Sequence, residues 1–96
     1  MILHTINSSP FSSSALKDCL KLLNADDQLL LIGDAVLAVS ALVDNQAELL
    51  QLYEQKRLFI LREDLQARGL SAEYGHVIDY SGFVSLTIKC KSQLAW

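Results

Sequence analysis

Four consecutive bulky apolar residues, Leu29-Leu30-Leu31-Ile32, stand between Asp26-Asp27 and Gly33-Asp34, and no other feature constrains the fold as much. Neighbouring residues of a strand point to opposite faces, so a run that is apolar at every position needs cover on both. That is the mark of a central strand in a parallel sheet flanked by helices. Gln28–Ile32 is therefore read as a buried strand. Ile2–Ile6 reads as an earlier one, running into the turn formers Asn7-Ser8-Ser9-Pro10. Ser12, Ser13 and Ser14 are candidate N-caps for a helix whose Leu16, Cys19, Leu20 and Leu23 fall on one face. Lys17, Asp18 and Lys21 take its other side, and Asn24–Asp27 ends it.

Beyond Gly33, the apolar stretch Ala35–Val43 is expected to be a short helix, with Asp34 as N-cap and Asp44-Asn45 as its break. Ala47–Tyr53 reads as a further turn or two of helix and Leu58–Leu61 as the next strand. Glu63–Arg68 has acids in its first turn, Arg68 in its last and Gly69 just beyond, the polarity a helix dipole favours. Val77-Ile78 looks like a short strand. The segment after it carries two periods at once. Val84, Leu86, Ile88 and Cys90 alternate with polar residues as in a strand, while Tyr80, Phe83, Val84 and Thr87 fit a helical face capped by Asp79 or Ser81. Strands alternating with helical stretches indicate an α/β domain with a parallel sheet. At 96 residues the expectation is one domain spanning residues 1–96, with a thin core.

Charge and composition exclude several function classes. Eight basic and 11 acidic residues give a net charge of −3, and the basic ones are scattered, so no stripe is expected to hold nucleic acid directly. Ala35–Val43 is interrupted by Ser40 and too short to span a bilayer, so no membrane partner is expected. The start Met1-Ile2-Leu3-His4 has no signal-peptide character, which points to the cytoplasm.

In an open parallel sheet, sites lie beyond the C-terminal ends of the strands. Asn7–Phe11, Gly33-Asp34 and Arg62-Glu63-Asp64 are the loops that qualify, and none carries a dinucleotide or phosphate-loop motif. No cofactor is implied. Glu63 and Asp64 could form an acid–base pair, but acids in a first helical turn are the simpler account. His4 and His76 lack the spacing of a metal site, and His4 in a strand is expected to be simply hydrogen-bonded. Thiol chemistry needs a reachable thiolate. Cys19 lies within the apolar helical face, so it reads as a small buried hydrophobe. Cys90, between Lys89 and Lys91, has the more electropositive setting but reads as incidental.

Four blocks carry a resemblance: His4-Thr5-Ile6-Asn7-Ser8-Ser9-Pro10-Phe11, Glu63-Asp64-Leu65-Gln66-Ala67-Arg68-Gly69-Leu70, Ile78 through Thr87, and Ser92-Gln93-Leu94-Ala95-Trp96. In this order and over nearly the whole chain, they resemble the DsrH/TusB family. The resemblance implies a three-layer α/β/α sandwich with a mainly parallel five-stranded sheet, a helix after Asp79-Tyr80 and a last strand near Trp96. It implies a subunit of a heterohexamer with two copies each of three related chains, the others DsrE/DsrF-like (TusD/TusC-like). Such complexes pass persulfide sulfur from an upstream to a downstream carrier, for 2-thiolation of the tRNA wobble uridine or, in another branch, for sulfur oxidation. The persulfide cysteine of the complex belongs to a sister subunit, and the comparable loop here, Arg62-Glu63-Asp64, has none. The expected role is thus a non-catalytic interface subunit, with part of the Leu-rich surface around Ala35–Tyr53 or Trp96 covered by partners. Cys19 matches a cysteine of the sulfur-oxidation members, so the enzymatic alternative makes it a persulfide carrier. A free-standing small-ligand binding module is the third reading.

Overall fold

The computed structural model describes residues 1–96. In chain order the elements are β1 (Ile2–Ile6), α1 (Ala15–Leu22), β2 (Gln28–Leu31), a 3-10 helix (Gly33–Val39), α2 (Gln46–Glu54), β3 (Leu58–Leu61), α3 (Arg62–Ala67), β4 (His76–Ile78), α4 (Tyr80–Lys89) and β5 (Ser92–Ala95). The five strands form one sheet in the order β4-β3-β2-β1-β5. Every pairing is parallel. The Leu-rich run is the middle strand, and all four residues of β2 are buried. Leu29 and Leu31 enter a large core with Ile6, Leu58 and Ile60, roofed by α1, the 3-10 helix, α2 and α3. Leu30 points the other way, into a small core with Leu3, Leu86 and Cys90 under α4 alone. The third layer is therefore a single helix.

Two helical expectations need correction. Ala35–Val43 is not an α-helix capped by Asp34; a 3-10 helix begins at Gly33 and stops at Val39, with Ile32 in the N-cap position. Three residues per turn stack Ala35 on Ala38 and Val36 on Val39, and all four are buried. The serines before α1 cap it only in part. Ser13 Oγ accepts the Ala15 N–H at 3.1 Å, whereas the Ser14 hydroxyl donates to Asp18 Oδ2 at 3.0 Å.

The stop signal after α3 is as expected. Gly69 has φ +63, the Leu70 N–H donates to the Leu65 carbonyl (2.9 Å) and the Gly69 N–H to that of Gln66 (3.1 Å), which closes a Schellman motif. The doubly periodic segment is helical, and Asp79 rather than Ser81 caps it, accepting the Gly82 N–H at 2.8 Å. The apparent strand alternation is broken by Val84 and Ile88, which are exposed, while Leu86 and Cys90 are buried. β5 then runs beside β1, and the Trp96 N–H donates to the Thr5 carbonyl at 2.9 Å.

Candidate functional site

The three loops singled out at the C-terminal end of the sheet meet and are stitched together. The Gly33 N–H donates to Asp64 Oδ2 at 2.7 Å, and the Asp34 N–H to the Asn7 carbonyl at 3.1 Å. Arg68 clasps them from outside, with Nε 3.0 Å from Asp34 Oδ1 and a second guanidinium nitrogen 3.1 Å from the Asp64 carbonyl. Glu63 turns away and accepts the Tyr80 N–H at 3.3 Å. The two acids are therefore committed to different parts of the scaffold and do not face each other as an acid–base pair. Beside this knot, a cleft of about 510 Å³ opens between the serine-rich loop and the turn after the 3-10 helix, with Phe11 and Leu42 exposed on its lips. Lys17 and Asp44 are its charged members, and no cysteine or histidine lines it.

The two thiols lie elsewhere, one in each core. Cys19 is 0% exposed in the large core, and burial, reinforced by the negative charge of Asp27, pushes its pKa up to about 12. At neutral pH it is a thiol with no route to a partner. Cys90 closes α4 and is buried in the small core. Burial raises its pKa, although Lys89 and the N-terminal amine pull it down and Asp27 adds to the rise. The basic neighbours read from the sequence do not make it reactive, because desolvation outweighs them.

His4 is hydrogen-bonded as expected, through a network that the sequence did not reveal. Its Nε2 lies 3.0 Å from Asp27 Oδ2, and the Trp96 indole N–H donates to its Nδ1 at 3.1 Å. An indole nitrogen only donates, so Nδ1 accepts and the ring proton sits on Nε2, directed at Asp27. Asp27 also accepts the Ile2 and Asn24 N–H groups, each at 3.0 Å. Burial alone would raise its carboxyl, but hydrogen bonds from Asn24, His4 and Ile2 prevail and hold it below its ordinary value. The link of Asp27 and Trp96 to His4 escaped the sequence reading because they flank strands that become neighbours of β1 only in the folded sheet. His76 packs against the rings of Tyr53 (5.1 Å) and Phe59 (5.8 Å). No three His, Cys, Asp or Glu residues are arranged to hold a metal ion.

A family model described as DsrH like protein matches residues 8–93. This chain belongs to the DsrH family. It is 38% identical to the protein TusB of Erwinia tasmaniensis and 39% identical to that of Escherichia coli K12, in both cases over 99% of this chain and all of the relative. The protein TusB of Yersinia enterocolitica is 37% identical over the same shares. The crystal structure of the ychN protein from E. coli superposes with a TM-score of 0.82, covering 99% of this chain and 97% of that one. At 20% identity that likeness speaks for the shared α/β fold alone. At the level of the family, DsrH membership supports a sulfur-relay role in tRNA thiolation. No helix of this DsrH-family chain is long and apolar enough to cross a membrane.

Proposed function

We propose that this DsrH-family chain is a single-domain, cytoplasmic subunit of a heterohexameric relay that passes persulfide sulfur toward the tRNA wobble uridine. Its partners are two related DsrE/DsrF-like (TusD/TusC-like) subunits, and through them the upstream and downstream sulfur carriers. Its part is architectural. The observation that carries this is the location of its thiols: both are buried on opposite sides of the sheet, with raised pKa values, while the loops at the sheet's C-terminal edge contain no cysteine. A sulfur carrier needs a thiolate that another protein's sulfur can reach. Neither thiol meets that need. The net charge of −3 agrees with a subunit that does not itself hold tRNA.

Deleting the gene is expected to abolish most 2-thiouridine in the tRNAs for Lys, Glu and Gln, measured by nucleoside mass spectrometry. A copy carrying Cys19→Ala and Cys90→Ala together should restore it to the wild-type level, since alanine removes both thiols without burying a hydroxyl. Unchanged thiolation in the deletion strain overturns the relay reading. A well-folded double variant that fails to restore thiolation overturns the architectural one.

A further inference from the structure

β5 is the strand that puts no residue of its own into either core. All four of its residues, Ser92–Ala95, are exposed, and it lies at an edge of the sheet, paired only to β1. Its end is tied down by Trp96, which packs against the large core. The one side-chain hydrogen bond of Trp96 runs from the indole N–H to His4 Nδ1, at 3.1 Å. His4 can take a second proton at one atom only. Its Nε2 proton is directed at Asp27 Oδ2, 3.0 Å away, so the free lone pair is that of Nδ1, and the indole N–H already fills it. An imidazolium is a donor at both nitrogens. Two N–H groups facing each other make no hydrogen bond, so charging His4 and holding Trp96 exclude each other. The indole is the partner that yields, because an imidazolium gains a charge-assisted bond to Asp27.

The surroundings leave that exchange to these three side chains. β1 and β5 bring no charged residue. Asp27 is the anion facing His4, and its lowered pKa keeps it ionised. Its neighbour Asp26 is paired with the Met1 amine at 3.3 Å, and Arg57 Nε is spent on the Asp27 carbonyl at 2.7 Å. α1, which packs on β1, turns Cys19 toward the core, and Cys90 lies in the other core; both thiols have raised pKa values and stay uncharged. We propose that His4 and Trp96 form a pH-sensitive latch: neutral His4 holds β5 against β1, and protonated His4 releases Trp96 and loosens this edge strand. By linkage, the indole bond in turn opposes the charging of His4. This inference concerns the chain's own fold and is independent of the relay reading.

An NMR titration of the purified chain from about pH 8 to about pH 5, where imidazoles ordinarily charge, tests it. The His4 ring nitrogens, the Trp96 indole proton and the exchange protection of the Ser92–Trp96 amides should change together, with one midpoint. Corrected for the intrinsic pH dependence of exchange, protection in β5 should fall by about tenfold, the order of one lost hydrogen bond, while β2 keeps its own. His76 stands in β4 at the opposite edge of the sheet and gives a separate signal. Trp96→Phe keeps a ring on the core and removes the N–H. In that variant His4 should charge at a higher pH, and β5 should be as loose at the start of the titration as at its end. A His4 that stays neutral throughout overturns the latch. So does a His4 that charges while the indole proton and β5 stay unchanged, or a Trp96→Phe variant in which the His4 midpoint does not rise.

Discussion

Asp27→Ala is expected to destabilise the fold by about 3–5 kcal/mol, because it strips a buried carboxylate from the three donors it serves. Asp27 is 1% exposed and accepts from the Ile2 N–H, the Asn24 N–H and His4 Nε2. Alanine leaves all three without this partner, the His4 donor in a buried position and the Ile2 and Asn24 donors in part-buried ones. The damage extends further, since Arg57 donates to the Asp27 carbonyl at 2.7 Å and to that of Asn24, joining this loop to the start of β3. At about 4–8 °C per kcal/mol for a chain of this size, thermal unfolding should begin more than about 10 °C lower. Trp96, the only tryptophan, reports the same event, because His4 without Asp27 is free to place its proton on Nδ1 and lose the indole. Its fluorescence should change in the native state as well as on melting.

The same carboxylate predicts how stability depends on pH. Its folded pKa lies below the ordinary 3.8, so the folded state binds the proton less readily than the unfolded one. The stabilisation is therefore complete above the unfolded carboxylate range and fades as pH falls through the folded value. Denaturant midpoints of the wild type should drop on acidification below about pH 4, and Asp27→Asn should flatten that drop. Equal acid sensitivity in the two proteins would show that the stabilising group lies elsewhere.

Gly75→Ala is the second large effect, at about 2–5 kcal/mol. Gly75 has φ +99, a conformation L-residues rarely adopt, and a β-carbon there would collide with Ile60 Cδ1. The atom met is the far end of the Ile60 side chain, which is fully buried in the large core and must shift to make room. Backbone strain of about 1–2 kcal/mol and overpacking of about 1–3 kcal/mol then add. Gly69→Ala is the control. Gly69 has φ +63, but a β-carbon there meets nothing within 4 Å, so only the backbone cost of about 1–2 kcal/mol remains. Chemical denaturation of both variants should separate the two costs, and equal losses would remove the collision from the account.

The legible parts of the fold were those whose burial is written residue by residue. Leu29–Leu31 needs cover on both faces whatever surrounds it, and it is the middle strand. Glu63–Gly69 carries its polarity and its stop within seven residues, and the helix lies one residue earlier at each end, running Arg62–Ala67 with Arg68 as its C-cap. Segments with two admissible periods were not legible. The segment from Tyr80 satisfies a strand period through Val84, Leu86, Ile88 and Cys90 and a helix period through Tyr80, Phe83, Val84 and Thr87, and the resemblance to family members, not the spacing, pointed to the helix. Gly33–Val39 satisfies three residues per turn as readily as 3.6, and the fit of two short Ala–Val rows into the core selected the tighter helix. Of the Leu-rich stretch expected to contribute interface, Val36, Val39, Leu49 and Leu52 are core, and Leu42, Leu50 and Tyr53 remain at the surface.

By itself, the sequence determined a parallel α/β sheet with the Leu run at its centre, the helix that ends at Gly69, and membership of the DsrH family. The sheet and the helix rest on local patterns, in which neighbouring side chains state which faces must leave water; the family rests on the four blocks that resemble its members. The tertiary structure alone decided the rest. It joined His4, Asp27 and Trp96, and placed Cys90 out of reach despite its basic neighbours. Those outcomes depend on which strands lie side by side and on how many helices cover each face. Such contacts link residues up to 92 positions apart, a distance over which periodicity carries no information.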